Sequence, residues 1–141
     1  MENTGGGIGK RSEMRDADDF ASAFSAMKRE RAGGSHHAKS PLIQNQLNRI
    51  VSLAAKSRLP ARFDDRAFTE AGGFMSYGAN LVDLDWCAAV HVDRILKGTK
   101  PAELPVEQPM KFELIINLKT AKQIGLTIQP LVLMQATKVI R

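Results

Sequence analysis

The feature that most constrains this chain is a proline-marked stretch at residues 99–109 and the two segments it joins. Pro101, Pro105 and Pro109 exclude a continuous helix there and favour extended chain. On its N-terminal side, Gly72-Gly73 leads into a short apolar and aromatic run, residues 73–77, which Gly78 ends. That pattern suits a brief strand opening into a turn. Leu81, Leu84, Ala88, Val92 and Ile95 then recur three or four residues apart and share one face of a helix over 80–97. Asn80 stands at the N-cap, and Gly98 where a left-handed C-terminal residue belongs. On the C-terminal side, Phe112 to Ile116 is strand-like, and Asn117 caps a helix that runs through Ile124 and closes at Gly125. The order strand, helix, crossover, strand, helix is α/β wiring.

The N-terminal half reads as two helices separated by polar chain. Phe20, Ala23, Phe24 and Met27 form a stripe on a helix over 16–31, with acids at its start and bases at its end. Ile43, Leu47, Ile50, Val51 and Ala54 form another over 41–57. Between them, residues 33–40 hold two glycines, two histidines and a lysine, a composition that predicts a loop and no buried strand. Residues 61–65, Ala-Arg-Phe-Asp-Asp, are equally polar for a buried parallel strand. Residues 66–70 predict a helical turn. After Gly125 the chain is extended to Pro130, which starts a last helix carrying Leu131, Met134 and Val139 or Ile140.

Composition narrows the function classes. A 43% apolar content and a 25% charged fraction are ordinary for a globular domain, and one domain is the expectation for 141 residues. The net charge of +5 lies wholly in residues 1–62, with 11 Lys and Arg against 6 Asp and Glu; residues 63–141 balance at 9 against 9. The bases are interspersed with acids and lack neighbouring aromatics, which argues for a solvated surface and against a nucleic-acid interface. Residues 1–15 read as a disordered tail, polar and without the apolar core of a signal peptide, so the chain as written predicts a cytoplasmic product. Its Gly5-Gly6-Gly7-Ile8-Gly9-Lys10 run lacks the glycine spacing and the following Ser or Thr of a phosphate loop. His36, His37 and His91 do not make a metal set, and Cys87 has neither a disulfide partner nor a base. No catalytic constellation and no cofactor motif is present. The chain does not read as an enzyme.

Residues 71–128 also carry a family resemblance. Ala71-Gly72-Gly73, Met75-Ser76-Tyr77-Gly78, the run Val92-Asp93-Arg94-Ile95-Leu96-Lys97-Gly98, and Leu104-Pro105-Val106-Glu107-Gln108-Pro109 all take part. Lys111-Phe112-Glu113-Leu114, residues 116–122 and Gly125-Leu126-Thr127-Ile128 continue it, with a weaker match back to about residue 18. This stretch resembles the C-terminal part of the ABC-transporter substrate-binding proteins, the type I periplasmic binding proteins that include tryptophan- and sugar-like binders. The resemblance implies a partial Rossmann-like C-terminal lobe together with the region crossing to a first lobe over residues 16–141, a three-layer α/β/α fragment with an incomplete parallel sheet. It implies solute capture for uptake, an amino-acid- or sugar-like ligand, an ABC permease as partner and a periplasmic location. By the same resemblance the first lobe is absent and the chain is a truncated binder.

Within that frame Ser76, Tyr77, Gly78 and Asn80 are the candidate ligand-binding residues. Ser76 and Tyr77 end the crossing strand, where Tyr77 can stack on or hydrogen-bond a ligand; Gly78 lets backbone come close; Asn80 stands at free helix amides. The alternative for each is structural: Tyr77 in the core, Gly78 in a turn, Asn80 as a cap. Two other functions compete. One is a small interaction protein that associates through an exposed apolar α/β face, possibly with itself; the other is a gene fragment with no function.

Overall fold

The computed structural model describes residues 18–141; the expected tail at 1–15 and its glycine run lie outside the described residues. Five strands form one sheet in the order β1-β2-β3-β4-β5: β1 (Ser35–His37), β2 (Ala61–Phe63), β3 (Met75–Ala79), β4 (Phe112–Asn117) and β5 (Lys138–Ile140). β1, β2 and β3 run parallel, β3 and β4 antiparallel, and β4 and β5 parallel again. Helices flank this mostly parallel sheet: α1 (Asp19–Arg29), α2 (Pro41–Asn45), α3 (Leu47–Lys56), α4 (Arg66–Glu70), α5 (Leu81–Leu96), α6 (Leu118–Ile124) and α7 (Pro130–Gln135). The architecture is one Rossmann-like α/β lobe with an incomplete parallel sheet.

The main core gathers Phe20 and Phe24 of α1, Ile50, Val51 and Ala54 of α3, Leu59, Ala61 and Phe63 around β2, and Phe68 of α4. The helical stripes read from the sequence supply these side chains. A second cluster joins Phe74, Ile116, Ala121 and Ile124, with Leu126, Ile128 and Leu133 packed against it. The caps are where the sequence puts them. Asn80 Oδ1 accepts from the Asp83 amide at 3.0 Å, Asn117 Oδ1 accepts from the Thr120 amide at 3.1 Å, and Gly125 takes φ +84° at the end of α6.

Five expectations are corrected. Residues 33–40 are not all loop: Ser35–His37 is a strand, paired on one side only, and His37 is buried at 4% exposure. It is tolerated there because its ring stacks between Phe24 (centroids 5.7 Å apart) and Phe63 (5.1 Å), while Nε2 pairs with Ser35 Oγ at 3.0 Å. Burial, with the neighbouring His36 adding repulsion, lowers its pKa to about 4, so it sits in the core as a neutral ring. Residues 61–65 likewise hold a real strand, because only Ala61 and Phe63 face the core. Arg62 points to the other face and pairs with Asp64.

The helix over 41–57 is two helices, interrupted at Gln46. The last helix stops at Gln135, and Val139 and Ile140 belong to β5. The largest correction concerns α5. Its apolar face, expected from the sequence to pack on the strands over 73–77 and 111–116, does not: no residue of the helix is buried, and Leu81, Val92 and Ile95 of the stripe are 42%, 55% and 40% exposed. An apolar stripe records that a face is built to be covered. It does not say by what.

Candidate ligand recess

The carboxyl ends of the three parallel strands meet the amino end of β4 at one corner of the sheet. Each strand delivers a short polar turn there. β1 runs into Lys39 and Ser40, whose Oγ accepts from the Ile43 amide at 3.3 Å and so starts α2 before Pro41. β2 runs into Asp64 and Asp65, and Asp65 Oδ1 accepts from the Ala67 amide at 3.0 Å to start α4. β3 ends in Tyr77, Gly78 and Ala79. The corner holds an open recess of about 330 Å³ lined by Lys39, Arg62, Asp64, Tyr77, Gly78, Ala79, Leu81 and Phe112.

Aromatic side chains make one wall of it. Tyr77 and Phe112 are cross-strand neighbours on the antiparallel pair, their rings stacked at 5.7 Å and 18°. Both are exposed, Tyr77 at 43%. The Arg62 guanidinium lies over the Tyr77 ring, 5.6 Å from its centroid. Charged groups make the other wall. Asp64 Oδ1 lies 2.8 Å from His36 Nε2 and 3.4 Å from Arg62 Nη2. Asp65 Oδ2 accepts from Gln44 at 3.3 Å, with Lys39 Nζ at 3.6 Å.

The four residues singled out from the sequence take different places. Tyr77 and Gly78 line the recess. Gly78 is required by a close approach within the protein: a Cβ at this position would run into the carbonyl oxygen of Asp64. The glycine therefore seats the β2–α4 turn against β3 and so positions Asp64. Ser76 is buried, and its Oγ has no hydrogen-bond partner among the described residues. It faces a separate pocket of about 20 Å³ beneath the turn, shared with Asp65, Arg66 and Glu113. Asn80 does not line the recess. It caps α5 and donates from Nδ2 to Glu113 Oε1 at 2.7 Å, and Glu113 also pairs with Arg66 at 3.5 Å.

Lys39, Arg62, Asp64 and Phe112 are absent from the sequence-derived set. They lie far apart in the chain, and only strand order brings them together. The signal available was positional for three of them: Lys39 and Asp64 follow a strand and Phe112 begins one, on the side where open α/β sheets bind ligands, whereas Arg62 is the middle residue of β2. Among the described residues there is no group of three or more His, Cys, Asp or Glu able to hold a metal ion. No helix of the described residues is long and apolar enough to cross a membrane.

A Rossmann-like lobe with a recess beside a change from parallel to antiparallel pairing has its opening where α/β sheets receive ligands, outside the carboxyl ends of the strands. The comparisons give the family. The model of the ABC transporter substrate binding protein family matches residues 11–140, and the chain belongs to that family, one of solute-binding proteins and not of enzymes. A conserved domain protein from Vibrio cholerae O1 biovar eltor superposes with a TM-score of 0.77 at 25% identity, over 86% of this chain and 41% of that one. An ABC domain from Streptococcus pneumonia, solved in complex with L-Trp, also superposes at 0.77, with 28% identity over 87% of this chain and 41% of the other. A ligand-free, open substrate-binding protein with adhesive properties from Clostridium difficile shares the fold, at TM-score 0.62 and 14% identity, over 91% of this chain and 42% of its own. No curated protein sequence matches significantly. The chain thus spans about two fifths of the length of the solved structures it resembles.

Proposed function

We propose that residues 16–141 are the C-terminal lobe and crossing segment of a solute-capturing component of an ABC transporter, and that the solute rests on Tyr77 and Phe112. One observation carries this reading: an exposed aromatic pair borders a recess at the carboxyl ends of β1, β2 and β3. The ligand class is a small amino-acid-like solute with a planar ring, in keeping with the L-Trp held by the pneumococcal relative. A second lobe, matching the remaining length of the relatives, completes the cleft. The captured solute passes to an ABC permease, which puts the site of action outside the cytoplasmic membrane. One lobe alone encloses little of a ligand, whereas small-molecule sites bury most of theirs.

The test is a titration of the 15N-labelled chain with L-tryptophan, followed by NMR. Saturable shifts at the amides of Tyr77 and Gly78 are expected, with a Kd of about 1 mM, equivalent to about 4 kcal/mol. Joining the lobe to a first lobe from one of the longer relatives should tighten it by several powers of ten. Shifts confined to α5, or none, would overturn the assignment.

The exposed apolar face of α5 favours a second reading, association through that helix. Concentration-dependent sedimentation that Val92→Asp abolishes would support it, and a monomer at all concentrations would dismiss it.

A further inference from the structure

We infer that the end of the sheet opposite the recess is a docking surface for an anionic phospholipid membrane, seated on Arg31, Arg58 and the basic tails of α1 and α3. Along the sequence these bases alternate with acids; in the fold the two part. Ser35 of β1 pairs in register with Ala61 of β2, and the Ser35 amide donates to the Pro60 carbonyl at 2.8 Å. The tails of α1 and α3, which lead into these strands, therefore lie side by side at the amino end of the sheet. One carries Lys28, Arg29 and Arg31, the other Lys56 and Arg58, and all five are exposed. No side-chain hydrogen bond or ion pair joins any of them to another described residue. β4 ends at Asn117, beside Phe74, so α6 leaves from the same end and adds Lys119. The acids there are Glu30 and Glu70, and Glu70 is already engaged by Arg66 and Lys138.

Two of these bases are held against backbone preference. α1 and α3 close with the same motif, an amide that bonds five residues back: Ala32 to Met27 at 2.9 Å and Leu59 to Ala54 at 3.1 Å. α4, α5 and α6 close with it too, and place Gly72, Gly98 and Gly125 at the left-handed position. α1 and α3 place arginine there, Arg31 at φ +53° and Arg58 at φ +50°. Side chains are disfavoured in that region. The helix dipoles do not call for them, since Lys28, Arg29 and Lys56 already stand in the last turns. The partner's chemistry follows from what surrounds them. The exposed large apolar side chains belong to β3, β4, α5, α7 and the crossover, and none to α1, α3 or their tails. Protein interfaces centre on such anchors, whereas adsorption to anionic headgroups needs only clustered Lys and Arg. From the proposed function this inference takes only the neighbourhood of a membrane. Adsorbed by this end, the lobe turns its recess toward the solution from which a solute arrives.

The test sediments the full chain with vesicles of phosphatidylcholine alone or with about 30% phosphatidylglycerol, at about 0.1 M and about 0.5 M salt and without solute. Binding to the anionic vesicles only, and its loss at the higher salt, are expected. Arg31→Gly combined with Arg58→Gly should weaken it about thirtyfold, about fivefold for each cation, while the melting temperature holds or rises because glycine relaxes both helix ends. Arg31→Lys combined with Arg58→Lys should keep it. No binding to anionic vesicles, or binding that survives the glycine pair, would overturn the inference. Equal binding to neutral vesicles would trace adsorption to the apolar α5 instead, and tighter binding to duplex DNA at the same salt would replace lipid by nucleic acid. Because no solute takes part, failure here is distinct from failure of the L-tryptophan titration.

Discussion

His37 should make the stability of this lobe depend on pH in a way that one substitution removes. Its ring is sandwiched between Phe24 and Phe63, and its pKa falls from the ordinary 6.5 to about 4. Between those values the unfolded chain binds a proton at residue 37 that the folded chain does not. Stability from this group is therefore fully present above about pH 6.5 and is lost as pH falls toward 4. A displacement of that size corresponds to about 3 kcal/mol, a large share of the 5–15 kcal/mol or so typical of a domain. Phe in place of His keeps the aromatic ladder and forgoes only the contact with Ser35. Urea unfolding of both proteins at about pH 7.5 and about pH 4.5 isolates the effect, because the carboxylates titrate alike in each. His37→Phe should gain about 2–3 kcal/mol on the wild type between the two conditions. Equal losses in both proteins, or an imidazole that titrates near 6.5 by NMR, would refute the argument.

Gly78→Ala should cost about 3 kcal/mol or more, since its methyl group meets the Asp64 carbonyl, which is backbone and cannot swing aside; thermal melting measures it. Asn117→Ala removes the cap of α6 and one of two donors to the Thr69 carbonyl, which the Gly72 amide also serves, and should cost about 1–2 kcal/mol in urea unfolding. Tyr77→Ala should leave the melting temperature within a few degrees, because its ring is exposed. Joined to a first lobe, it should weaken L-tryptophan binding by about 1–3 kcal/mol by calorimetry. The reverse pattern, lower stability with affinity kept, would make Tyr77 a core residue.

Much of the fold was legible because helices announce their ends. Asn80, Asn117, Gly98 and Gly125 fixed the boundaries of α5 and α6, and the Phe20–Phe24 and Ile50–Ala54 stripes located half of the core. β1 and β2 were not legible. Each is three residues long, only alternate side chains go inward, and the residues that mislead are a histidine that is buried neutral and an arginine on the outer face. Tyr77 and Gly78 could be proposed for the site because they end a strand. Lys39, Arg62, Asp64 and Phe112 could not, since the pairing of strands remote in sequence, parallel for β1 to β3 and antiparallel for β4, is what assembles them. The exposure of α5 was hidden for a different reason: amphipathic periodicity is the same whether or not the partner surface is present.

The antiparallel pair β3–β4 carries α5, which leaves from the end of β3 and returns to β4 through a 3-10 turn at Pro101–Glu103 and extended chain. At its root the helix is tied by Asn80 to Glu113 and by Lys111 to Asp83, and beyond that none of its side chains is buried. A helix of 16 residues is about 24 Å long, so a twist of about 10° in the two-stranded ribbon carries its far end about 4 Å. The main core cluster takes no residue from this ribbon, whereas the second takes Ile116 from the far end of β4 and so anchors the ribbon there. The lobe is in effect a fixed base with a lever on a torsion strip, and Tyr77 and Phe112 are set on the strip itself. Whatever settles on those two rings sits at the pivot, where it can hold the lever's angle.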